Sequence, residues 1–424
     1  MGMGEQEATK TVPTFPHSHI GQIMTTRFYA VFAALVLLFT GSRMVPATAV
    51  DSSRHRAWQE EAAVLDQDIA FYTARVARDP EGALDRAKLG ALFLQRARQT
   101  GSPEDLVRAE QVARESFGLR TRKNGIAAQV LALSLMGQHR FAEALIEARM
   151  LVEDDSSSVS NRSLLGELEM ELGLYRSADS VFNGLRSWSY KLTVAPRLAR
   201  WEELNGHSDS ARSILLCARA DAMKQPGLPL EQKAWFDLRI GDLAFRSGHL
   251  GEAERNFQAG LAISPEDYRL LAAMTRLESA RHHWNWAIDY GEHAIALVPD
   301  PATLGLLGDA YAARGDSAAA EKYYHTMETV VLRQPGAFHR AWSLFLLDHN
   351  RSVGVVLARV QDEIKQRKDI YGYDLLAWAL YKNGHPVEAR AAMHQALRLG
   401  TQDPQLFHHA QVIDSATARA TTER

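Results

Sequence analysis

Residues 234–300 read AWFDLRIGDLAFRSGHLGEAERNFQAGLAISPEDYRLLAAMTRLESARHHWNWAIDYGEHAIALVPD, and the fold is decided by how this stretch repeats itself. It is one helical hairpin followed by a second of similar length. Small residues recur at fixed places: Gly241, Gly248, Ala253 and Gly260 in the first copy, then Ala287, Gly291 and Ala294 in the second. Ala287 repeats Ala253, and Pro299 repeats Pro265, at one shared interval of about 34 residues. Compact side chains let the two helices of a hairpin approach closely, while larger ones such as Phe182 fill the gap to the next hairpin.

The beat continues on both sides. Upstream, Leu165-Gly166, Gly173, Tyr175, Ala178 and Phe182 form a third copy, with Ala178 repeating Ala144 at the same interval. Leu198-Ala199, Gly206, Ala211 and Ala218 form the fourth, where Pro196 is tolerable because it falls in the first helical turn. Residues 125–154 make the second copy, followed by a loop over 155–160. The first copy begins near Ala83 and is irregular, because its second helix starts only after Gly101-Ser102-Pro103, a connection that reads as longer than a standard turn. Downstream, Gly308, Tyr311, Gly315, Ala320 and Tyr324 mark copy seven. Residues 338–368 are a degenerate copy eight, with Ser343 and Val355 where Gly and Ala are usual, and residues 371–400 are a regular copy nine. A helix over 54–78, with Trp58, Ala62, Leu65, Ile69 and Tyr72 at spacings of three and four, is expected to cap the first repeat. A second cap is expected from Pro404 to about Asp414, followed by a frayed tail.

A period of about 34 residues carrying these residue types resembles the tetratricopeptide repeat family, over roughly residues 83–400. The resemblance implies an all-α fold: a right-handed superhelical solenoid of antiparallel helix pairs, about nine repeats plus capping helices. The chain then divides into an N-terminal extension and signal (1–49), a capping helix (50–82), repeats one to four (83–223), an inter-repeat loop (224–233), repeats five to nine (234–401) and a C-terminal cap and tail (402–424). The loop is where the register slips, since the step from Ala211 to Ala253 exceeds the repeat length, with the surplus in KQPGLP, and it is the one internal place for the superhelix to bend.

Composition narrows the function. The sequence is 46% hydrophobic and 8% aromatic, which suits a helical protein, and a net charge of -3 is no electrostatic match for nucleic acid. Arg27 precedes an apolar run over 28–39, FYAVFAALVLLF, and Ala47-Thr48-Ala49 has the form of a cleavage site. The run is shorter than the about 20 residues a membrane span needs. It reads as a secretory signal cut after Ala49, so the protein is expected to be periplasmic or secreted with no stable membrane span after cleavage. An uncleaved N-terminal anchor, with the array facing outward, is the alternative. Residues 1–23 are polar and precede Met24, which looks like a second start. The single cysteine, Cys217, lies beside Ala218 on a packing helix and is expected to be a buried, inert thiol.

No nucleophile elbow, Walker-type phosphate loop, H-E-x-x-H or zinc-type Cys pair is found, so neither a cofactor nor a metal nor enzymatic activity is expected. His282-His283 and His408-His409 are adjacent pairs on predicted helices, pointing about 100° apart, and read as surface histidines instead of ligands. The resemblance places function on the concave face. Carrying the family's groove places onto this sequence gives Arg197, Arg200 and Glu203 in copy four. It gives Trp235, Arg239, Asp242, Phe245 and Arg246 in copy five, and Arg269 and Arg276 in copy six. Six arginines against two acids make the groove locally basic, and guanidinium forks bind carboxylates, so an acidic segment or chain terminus of a protein or peptide is the expected partner. Pairing of these arginines with acids on neighbouring helices is the alternative. Some family members hold a carboxylate with a Lys/Asn clamp, from which this sequence departs at Arg200 and Asp242. Tyr371, Asp374, Trp378 and Tyr381 would add an aromatic groove segment, or else pack between repeats. The expected function is an exported, non-enzymatic scaffold for an envelope complex. An accessory subunit of a polysaccharide or peptidoglycan enzyme system and a periplasmic chaperone are the rivals.

Overall fold

In the computed structural model, residues 52–333 and 340–422 are described, and they form twenty α-helices, one short 3-10 turn and no strand. Helix α1 (Ser52–Arg78) precedes nine hairpins. These pair α2 (Ala83–Thr100) with α3 (Pro103–Leu119), α4 (Gly125–Gly137) with α5 (Phe141–Asp154), α6 (Val159–Glu171) with α7 (Tyr175–Asn183) and α8 (Ala195–Leu204) with α9 (Ser208–Met223). The series continues as α10 (Leu230–Arg246) with α11 (Leu250–Leu261), α12 (Tyr268–Ala280) with α13 (Trp284–Leu297) and α14 (Pro301–Ala313) with α15 (Ser317–Leu332). It ends as α16 (Arg340–Asp348) with α17 (Val353–Gln366) and α18 (Ile370–Lys382) with α19 (Pro386–Ala396), before a closing helix α20 (Pro404–Thr422). The apolar run 28–39, the cleavage motif at 47–49 and the first residues expected of copy eight lie outside the described residues. Among the described residues no helix is long and apolar enough to cross a membrane.

The small-residue beat has a direct cause in packing. Gly166, Gly241 and Gly308 on the first helix of their hairpins face Phe182, Phe257 and Tyr324, at one fixed separation along the chain. A Cβ on these glycines would stand 3.1, 2.4 and 2.1 Å from the ring, so each ring occupies the room a side chain would need. In copy six the sizes are exchanged, with Gly291 on the second helix beneath Thr275 on the first. The alanines that mark the beat, Ala178, Ala211, Ala253 and Ala287, are fully buried. Hairpins turn through one residue in the left-handed region, held by glycine at Gly206 (φ 78°) and Gly384 (φ 80°) and by His139, His282 and Asn350 in three other copies.

Several local expectations are corrected. The first copy's connection is short: α2 runs on to Thr100, only Gly101 and Ser102 intervene, and the Ser102 hydroxyl accepts from Asp105 N–H at 3.2 Å. Helix α6 starts at Val159 and α10 at Leu230, so both preceding loops are shorter than read. Helix α20 does not stop near Asp414 but continues to Thr422, because Leu406, His409, Ile413 and Thr417 keep one face buried. Cys217 is exposed: α9 packs through Ala211, Leu215, Ala218 and Ala222, which leaves Cys217 on the outer side. His282 and His283 lie in a turn, not on a helix. His409 is no surface histidine, since it is 3% exposed, stacks on Trp378 at 4.2 Å and bonds through Nδ1 to Asp374 Oδ1 at 2.7 Å.

Successive turns of the array touch. Helix α1 and the first copy meet the fifth and sixth: Leu230 N–H donates to both oxygens of Glu61 on α1 at 3.1 Å, Arg98 pairs with Glu231 at 3.1 Å, and Gly101 lies against Val298. Copies three and four meet eight and nine. Arg367 pairs with Glu171 at 2.8 Å and Ile370 N–H donates to the Tyr175 hydroxyl at 2.7 Å. Gly173 and Gly206 approach so closely that a Cβ on either would stand 2.3 Å from the carbonyl oxygen of Lys368 or Gly400. One hydrophobic cluster runs through this contact, joining Met170, Tyr175 and Trp201 to Ile370, Trp378 and Ile413. The concave face is therefore covered by the chain's own later repeats.

Candidate functional site: an axial chamber

What remains of the concave face is a chamber of about 990 Å³ reached by residues from copy two to α20. Five arginines line it, Arg200, Arg246, Arg276, Arg340 and Arg367, together with five acids, Glu171, Asp300, Glu363, Asp369 and Asp403. Aromatic rings steady the guanidinium groups. Tyr371 has Arg200 on one contact at 5.3 Å and Arg340 on another at 5.2 Å, and Arg276 lies 4.9 Å from the Phe245 ring centre.

All six arginines taken from the sequence are ion-paired. Arg197 bonds Glu167 at 2.5 Å, and Arg269 bonds Asp267 at 2.6 Å. Glu203 collects Arg200 at 2.8 Å, Arg239 at 3.2 Å and Arg246, while Asp242 holds Arg239 at 3.1 Å and Arg276 at 2.5 Å. Burial alone would raise the Glu203 carboxyl, but Arg200, Arg246 and Arg239 outweigh it and hold the value down at about 2. Burial lowers Arg239, and it raises Glu171 and Glu363 on the chamber wall. Glu167 and Asp267 fall outside the transferred groove places, which is why counting those places alone exaggerated the positive charge.

Of the fourteen residues expected to line the groove, the chamber brings together Arg200, Phe245, Arg246, Arg276 and Tyr371. Arg197, Trp235, Arg239, Asp242 and Arg269 do not line it and are engaged as pairing or packing partners. The C-terminal set is mostly interior. Asp374 is fully buried and bonds Arg340 at 2.7 Å as well as His409. Trp378 is 6% exposed, donates from Nε1 to Asp348 at 2.7 Å and stacks on Tyr381 at 5.1 Å. Sequence reasoning missed Arg340 and Arg367, which reach the chamber from the degenerate eighth copy. The acid caps were missed too: Asp300 accepts from Thr303 N–H at 2.8 Å, and Asp369 from Tyr371 and Gly372 N–H at 2.8 Å each.

Hairpins on this beat, stacked in one helical array, make the chain a tetratricopeptide-repeat-type α-solenoid. No protein-family model matches the sequence, and no curated protein is similar enough to match it. Among solved structures it is similar to the human IFIT1 dimer with m7Gppp-AAAA, at 14% identity and a TM-score of 0.50 over 81% of this chain and 78% of that one. It is also similar to PilW, described as a widely conserved type IV pilus biogenesis factor, at 17% identity and a TM-score of 0.41 over 53% of this chain and 99% of that one. Likeness at this level concerns the fold.

Proposed function

We propose that this protein is an exported, non-enzymatic scaffold that holds a protein or peptide segment in its axial chamber and supports assembly or regulation of an envelope complex. The observation that carries the reading is the chamber itself, where several copies present guanidinium groups to one shared, partly open cavity. Its volume is near the top of the range for small-ligand pockets, about 300–1,000 Å³, so it suits a short segment better than an unfolded chain and favours an adaptor over a chaperone. The buried histidine and carboxylates nearby are engaged in structural pairs, His409 with Asp374 and Glu203 with three arginines, which favours binding over catalysis. A photocrosslinking residue at Ala341, on the chamber wall, should yield a discrete adduct in the native host, and one at Val355, 71% exposed on α17, should not. Equal adducts from both positions, or none from Ala341, would overturn the reading.

A further inference from the structure

We propose that this protein docks on an anionic lipid surface through a basic, apolar-flanked tip, formed by the connection between its first two repeats. The connection protrudes. Residues 118–123 (GLRTRK) are exposed without a break, and a Cβ added to Gly118 or to Gly125 just beyond them would meet nothing within 4 Å. It is also held in one shape. The buried Asn124 side chain donates to Arg120 O at 3.1 Å and to the Ser116 hydroxyl at 3.0 Å, and that hydroxyl donates to Ala83 O at 2.7 Å. The last bond ties the end of α3 to the start of α2, so Leu84 shares this end of the repeat with Leu119 and Ile126. All three are exposed, at 55%, 38% and 53%.

Arg120, Arg122 and Lys123 stand among these apolar side chains, and none of them pairs with an acid of the described residues. Other connections satisfy their charges locally: Asp155 accepts from Ser157 and Ser158 N–H, Lys224 pairs with Asp221, and Asp267 pairs with Arg269. Here the nearby acids are taken by other arginines, Asp85 by Arg75 and Glu115 by Arg86. The turn before α2 carries Arg78 with Asp79 and Glu81, a single net negative charge, so this end of the repeat stays positive.

The charge calls for an anion, and the apolar side chains choose among anions. A nucleic-acid backbone or a soluble acidic peptide would leave Leu84, Leu119 and Ile126 in water. A bilayer takes both kinds of side chain, the apolar ones at the edge of the acyl chains and the cations among the headgroups. Each cation is worth about fivefold in affinity for such a surface, so three together give about a hundredfold. None of the tip residues lines the chamber, so the outcome at one site does not decide the other.

The test places an environment-sensitive fluorophore on Thr121→Cys, in a Cys217→Ser background of the full chain. The probes are vesicles of one part phosphatidylglycerol to two of phosphatidylcholine, and vesicles of phosphatidylcholine alone. The same label on Val355→Cys, an exposed site on α17, separates the tip from any vesicle contact made by the apolar run 28–39. Anionic vesicles should brighten the label at 121 and shift it to the blue, while the label at 355 stays unchanged. Replacing the cations together, as Arg120→Gln, Arg122→Gln and Lys123→Asn, should raise the lipid needed for half response about a hundredfold. Asn suits the left-handed backbone at 123, where φ is 52°. Leu119→Ser with Ile126→Ser should cost about tenfold or more with every charge in place. No response at 121, an equal response at 355, or an equal response to phosphatidylcholine alone would overturn the proposal. A response to soluble oligoglutamate or to a short duplex DNA as large as that to the vesicles would overturn it as well, by giving the tip to a soluble polyanion.

Discussion

Replacing Gly206 by alanine should cost far more than the same replacement at Gly384. Both turn residues are left-handed, with φ of 78° and 80°, so each alanine pays about 1–2 kcal/mol for the backbone alone. Their surroundings differ. Around Gly384 nothing lies within 4 Å of a new Cβ, whereas at Gly206 it would stand 2.3 Å from the carbonyl oxygen of Gly400, a backbone atom with no rotamer to escape into. Overpacking adds about 1–3 kcal/mol, for a total of about 2–5 kcal/mol against about 1–2 kcal/mol at Gly384. Urea unfolding followed by circular dichroism measures the difference, and hydrogen exchange over residues 398–403 reports whether the contact between turns has opened. Equal unfolding midpoints for the two variants, with unchanged exchange at 398–403, would refute the claim that copies four and nine meet in solution.

Acid should weaken the array through Glu203. Its carboxyl is held at about 2 against an ordinary 4.5, so the stabilisation is complete above 4.5 and lost as pH falls through 2, about 3 kcal/mol in all. Urea midpoints across that window should fall less steeply for Glu203→Gln. Phe257→Ala, which removes a fully buried ring seated on Gly241, should cost about 3–5 kcal/mol in the same unfolding assay. Cys217 should react with a maleimide in the native state as fast as in urea, because it is exposed; slow native labelling would return it to the interior.

The hairpins were legible because their cause is local and periodic: a glycine on one helix and a ring on the next, at one fixed separation in three copies, leave a mark that survives degeneration of copy eight. Cys217 and His409 were misread for a related reason. The pattern places an element well, but one residue of helical rotation, or a cap that runs two turns further, decides which side faces in. The chamber was legible in part, through Arg200, Phe245, Arg246, Arg276 and Tyr371. Its far wall was not, because Arg367 to Glu171 and Ile370 to Tyr175 are single polar contacts bridging 196 and 195 positions with no periodic signature.

Contact between one revolution and the next also fixes how many modules the chain is allowed to have. In an open solenoid, excising a hairpin shortens the rod and leaves the rest in place. Here, as in a screw thread, removing any hairpin between Gly206 and Gly400 would bring a different residue opposite Gly206. Growth or loss by whole repeats, the usual route of change for such proteins, is thereby closed to the middle of this one and left open only at its ends.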